Sequence, residues 1–132
     1  MFFRGLLSLV GLFHVANGLF MIGDAEDWYL TAPGVSQTGS MNHHFIVDIG
    51  LAFFASGAGM TIGLRKGRVA ATFALAGATW PALRALFHIQ EWFADRLPPD
   101  LRTAAVEALG VVLVGFLGFA FAVVRAREEG AI

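Results

Sequence analysis

Four apolar stretches of about 20 residues alternate along the chain with short polar breaks, each long enough to cross a bilayer core of about 30 Å as a helix. The first runs from about Gly5 to Gly23 and stops at the acidic run Asp24, Glu26 and Asp27. The second, from about Asn42 to Leu64, ends at Arg65-Lys66-Gly67-Arg68. The third covers about Val69 to Glu91 and is closed by Trp92, Asp95, Arg96 and the Pro98-Pro99 pair. The fourth extends from about Thr103 to Val124, before Arg125, Arg127 and a polar tail. Pro33-Gly34 marks a turn in the connection 24–40, which is long enough to cap one end of a bundle. Gly59 and Gly63 on the second span, with Gly110, Gly115 and Gly118 on the fourth, favour close helix approach. The pattern predicts an all-α, single-domain, four-helix transmembrane bundle.

Composition supports that reading and removes others. Of 132 residues, 57% are hydrophobic and only 14% charged, against about 25% charged in ordinary soluble domains. A disordered chain, a basic nucleic-acid binder and a soluble enzyme all fit poorly, and the net charge of −1 points to no polyanionic partner. The absence of cysteine excludes disulfides, thiolate metal sites and iron–sulfur clusters. Arg4, the 65–68 loop and Arg125/Arg127 fall on one side, so the positive-inside rule predicts both termini in the cytoplasm. Trp28, Tyr29, Trp92 and Phe93 then mark the outer boundary. His14 interrupts the first apolar run and no A-x-A site follows it, so this segment is expected to be a retained helix rather than a cleaved signal.

Polar residues inside the spans carry the functional expectation, because an ionisable group there costs about 2.5–3.5 kcal/mol on insertion scales. The first span holds His14 and Asn17, the second His43, His44 and Asp48, the third Arg84, His88 and Glu91, and the fourth Glu107. By helical rise, His44, His88 and Glu107 lie roughly 3–5 Å below the outer boundary, and Asn17, Asp48, Arg84 and His14 roughly 9–14 Å below it. The inner half has only serines and threonines. A transmembrane proton relay therefore lacks inner stations.

His44 and Asp48 share a face at i,i+4, as do Arg84, His88 and Glu91 with Trp80. The sharpest reading is a metal centre of His14, His44, Asp48, His88 and Glu91, since four-helix bundles build carboxylate–histidine sites facing the bundle axis. Its sulfur-free donor set suits Zn, Fe, Mn or Cu. Arg84 and Asp48 are expected to form an ion pair and to take the catalytic roles, as in a metal-dependent oxidoreductase acting on a membrane-accessible substrate. No H-E-x-x-H or E-x-x-H motif accompanies the set. A single haem b between two histidines, such as His14 and His88, is a second reading. A third is an anionic or quinone-like headgroup held by Arg84, His88 and Trp80 beside Pro81. A fourth is a non-catalytic subunit or assembly factor, as a homo-oligomer or within a larger membrane complex.

In size, in its four spans and in the segment Asn42-His43-His44-Phe45-Ile46-Val47-Asp48-Ile49-Gly50, the chain resembles the small bacterial membrane proteins of the DoxX-like kind. Pro33-Gly34-Val35, His88 and Glu91 add to the resemblance. It implies a four-helix bundle in a bacterial inner membrane. Some relatives are associated with quinone-linked sulfur oxidation, but no residue here carries that role over, and a shared fold does not confer function.

Overall fold

The computed structural model describes residues 2–132. Helix α1 (Phe2–Gly23) leads through the short α2 (Ala25–Thr31) and a single 3-10 turn (Val35–Gln37) to α3 (His43–Ile62). Helix α4 (Arg68–Phe93) and the short α5 (Leu101–Ala105) follow, and then an eight-residue π-helix (Val106–Leu113) runs directly into α6 (Val114–Glu128). Four helical stretches are long and apolar enough to cross a membrane: Phe3–Gly23, His43–Ile62, Arg68–Phe93 and Leu101–Glu128. They match the four spans read from the sequence.

Side-chain caps start the helices at one end of the bundle. Asp24 accepts a hydrogen bond from the Asp27 N–H at 3.0 Å, Asn42 from the Phe45 N–H at 3.1 Å, and Asp100 from the Thr103 N–H at 2.9 Å. Each satisfies a backbone donor that the first helical turn leaves unpaired. We call this the loop end, and the opposite one the terminus end.

Around the bundle, α1 packs on α3, α3 on α4, α4 on both α6 and the π-helix, and α6 on α1. Glycine allows two of these approaches. A Cβ on Gly18 would lie 2.6 Å from the Gly50 carbonyl oxygen, and one on Gly115 would lie 2.6 Å from the Pro81 carbonyl oxygen. Backbones this close gain dispersion contacts that larger residues would prevent. In the terminus half, Leu7, Met60, Ala74, Ala78 and Ala122 are fully buried together.

The terminus end is closed by Arg125, which is 2% exposed. Its Nε donates to the Gly63 carbonyl at 3.0 Å, its Nη2 to the Arg65 carbonyl at 2.7 Å, and its Nη1 to the Glu129 carboxylate. Glu129 also accepts the Gly67 N–H at 2.7 Å and contacts Arg4 at 3.4 Å. The Arg125–Glu129 pair thus joins the α3–α4 turn to both ends of the chain. Arg4, the 65–68 loop and Arg125 do share an end, as the sequence pattern requires. Arg125 faces inward, however, and fills the carbonyl-lined hole at the end of α3.

Candidate functional site

The loop half is built differently. Between its helices lies a cavity of about 650 Å³, roofed by Trp28, Tyr29 and parts of the 32–42 connection. Phe13, Asn17 and Met21 of α1, Phe45, Ile46, Ile49 and Phe53 of α3, and Arg84, Phe87 and His88 of α4 line its walls. The π-helix completes it with Val106, Glu107, Gly110 and Val111. Its size and mostly apolar lining with few convergent polar groups are those of a small-molecule site.

The polar groups differ in how far they are satisfied. Asn17 Oδ1 accepts from the Trp28 indole at 3.1 Å, which ties α1 to α2. Glu107 Oε2 accepts from the Trp92 indole at 2.9 Å and stands 3.8 Å from His88 Nδ1. Arg84 has neither a hydrogen bond nor an ion pair among the described residues. Its guanidinium carbon lies 5.0 Å from the centroid of the Phe53 ring and 5.9 Å from that of Trp80, and those two rings meet edge to face at 4.9 Å. The rings orient the guanidinium by cation–π attraction. None of its five N–H donors has an acceptor among the described residues.

The roof is pinned to the fourth span. Gly34 adopts φ +83°, and a Cβ there would come within 2.5 Å of the Thr103 methyl group. Asp100 holds both the backbone N–H and the hydroxyl of Thr103, at 2.9 and 3.0 Å. These two bonds, first the backbone one and then the hydroxyl, keep the Asp100 carboxyl below its usual pKa, and the Gln37 side chain adds to them from the roof. Tyr29 donates from its hydroxyl to the Gly39 carbonyl at 2.7 Å.

The structure does not gather the five expected metal ligands. His14 is buried at 3% exposure, with Nδ1 2.8 Å from the Val10 carbonyl oxygen and its ring 5.5 Å from those of Phe13 and Phe53. His43, His44 and Asp48 are exposed on α3. Glu91 is paired with Arg96 at 2.8 Å. Of the five, only His88 lines the cavity. Among the described residues, no three His, Asp or Glu side chains stand together as a metal ion requires. The five residues therefore do not share one centre in this structure. His88 lines the cavity and His14 does not.

The expected Asp48–Arg84 ion pair is absent as well, for a geometric reason. Close packing against α1 turns Gly50 and Phe53 inward, and Asp48, two residues before Gly50, then points about 200° away. Depth along the helix was legible, but the facing direction depends on which side the glycines pack. The residues that sequence reasoning underweighted are Glu107 and its π-helix. Widened helical turns of this kind are frequent at functional sites. Trp28 and Trp92, expected as interfacial anchors, donate inward to Asn17 and Glu107.

Comparison of the chain with protein-family models, with curated proteins and with solved structures finds no match.

Proposed function

We propose that this chain is a membrane binding protein for an amphiphilic molecule whose oxygen-rich head is taken by Arg84. The observation that carries the reading is the Arg84 guanidinium itself: oriented by two aromatic rings, facing a cavity, and lacking any acceptor among the described residues. Leaving charged donors unpaired in an apolar surround is costly. A guanidinium fork matches a carboxylate or another pair of acceptor oxygens. The formal charges of Arg84 and Glu107 on the cavity wall sum to zero. The site therefore favours a head with at most one negative charge over a dianionic phosphate. A quinone-like head, with carbonyl acceptors and no charge, belongs to the same class.

The positive residues at the terminus end support an orientation with both termini cytoplasmic. In that orientation the cavity opens in the outer half of the membrane. Thermal unfolding in neutral detergent tests the reading. A long-chain carboxylic acid should raise the Tm of the wild type, and the matching alcohol should raise it less. Arg84→Gln should remove the difference between the two. Equal shifts by acid and alcohol in both proteins would overturn the role of Arg84.

A further inference from the structure

Three features of the cavity wall bear on how the ligand reaches it and on what the rest of the ligand is. The first is a gap in the ring of helices. In the terminus half α1 packs on α6, but in the loop half α1 and the π-helix do not pack side by side to a comparable extent. The second is the character of the residues flanking that gap. Phe13 on α1 and Val106 on the π-helix are both exposed and both line the cavity. An apolar surface that is continuous from the interior to the outside of a span faces lipid, not water.

The third is Gly110. In the middle of a helix, glycine is destabilising relative to alanine, and at Gly18, Gly57, Gly77 and Gly115 the loss is offset by close backbone approach. Gly110 has no such reason. A Cβ built there would meet only a Val106 methyl group at 3.9 Å. What its missing side chain preserves is open space in the cavity wall.

Resting on the reading of Arg84 as the head-binding group, we propose that the cavity fills sideways from the bilayer, through the gap between α1 and the π-helix, and that its ligand is a single-chain acidic lipid. The carboxylate binds Arg84, and the hydrocarbon chain passes Gly110, leaving between Phe13 and Val106. A cavity of about 650 Å³ suits one alkyl chain, whereas two-chain phospholipids exceed what a pocket of this class encloses. Each methylene that leaves water for the apolar wall tightens binding several-fold relative to the aqueous ligand. A long-chain acid should therefore outcompete short water-soluble acids by a wide margin.

Tryptophan quenching in phosphatidylcholine nanodiscs tests this, because Trp28 lines the cavity and Trp80 lies beside Arg84. The probes are a long-chain fatty acid brominated along its chain, its methyl ester, and unbrominated hexanoate as a competitor from water. The expected result is saturable quenching by the acid, little by the ester, and negligible competition by hexanoate. Gly110→Leu should weaken the quenching about tenfold, as should Val106→Trp once the added indole is accounted for by a no-ligand reference, because either side chain occupies the chain's path. Gly110→Ala should have a smaller effect while keeping the fold. Hexanoate competing on equal terms, with all three variants unaffected, would overturn the sideways path and the lipid chain and leave Arg84 as a head-binding site. Equal quenching by acid and ester, unchanged in Arg84→Gln, would overturn both readings.

Discussion

Two arginines, one in each half of the bundle, show how much the same side chain depends on its surroundings. Arg125 spends its donors on two backbone carbonyls and a carboxylate. Arg84 is stacked on Phe53 and Trp80 and spends none on the described residues. Arg125 stands in a closed end where the chain's own carbonyls meet it, whereas Arg84 faces a cavity. A buried cation whose hydrogen bonds are complete holds a fold together. A half-buried cation whose donors open onto a cavity holds little of the fold and leaves those donors free.

Substitution should separate the two sharply. Arg125→Met leaves the Gly63 and Arg65 carbonyls without their donor, and a loss of about 3 kcal/mol is expected from unfilled buried acceptors. Thermal unfolding in detergent should show a fall in Tm larger than that of Arg84→Met, Glu129→Gln or Asp48→Asn. Arg84→Met should leave Tm nearly unchanged, because it removes a cation that no hydrogen bond or ion pair among the described residues holds. The same variant should lose binding of acidic amphiphiles. A large fall in Tm for Arg84→Met would mean that Arg84 is structural like Arg125.

The terminus end should also respond to acid. Glu129 is held below its ordinary pKa of 4.5, first by the hydrogen bond from Arg125 and next by the Gly67 N–H. A depressed folded value contributes stability that is complete above the ordinary carboxylate range and is lost as pH falls through the folded value. Asp100 at the loop end follows the same sign. Melting temperature measured against pH should therefore fall on the acid side of about 4. Glu129→Gln should start lower at neutral pH and lose less on acidification. The smallest effect should come from Asp48→Asn. Asp48 is exposed and has no partner among the described residues, so a change within about 0.5 kcal/mol and unaltered ligand binding are expected.

These contrasts also show what the sequence carried. The four spans were legible because apolar length and flanking charge are local properties. Their polar residues were legible in depth, since helical rise is constant. Facing was not. In a membrane helix, the lipid side and the core side are equally apolar, so periodicity does not distinguish Asp48, which points out, from Phe53, which points in. Glycine close packing makes that distinction, and it appears only when α3 meets α1. Arg125 reads as an ordinary positive flank until the α3–α4 turn forms the carbonyl-lined hole that it fills. The π-helix left one trace, a mid-span Gly110 with no packing demand, beside Glu107 at a depth where a carboxylate needs donors.

The function of the chain turns on what Arg84 holds. Lipid extracted from wild-type protein and from Arg84→Gln, purified in parallel from one membrane source and compared by mass spectrometry, tests that directly. A single-chain acidic lipid retained near one per chain by the wild type and lost from the variant is the expected result. The same lipids in the same amounts from both proteins would contradict it.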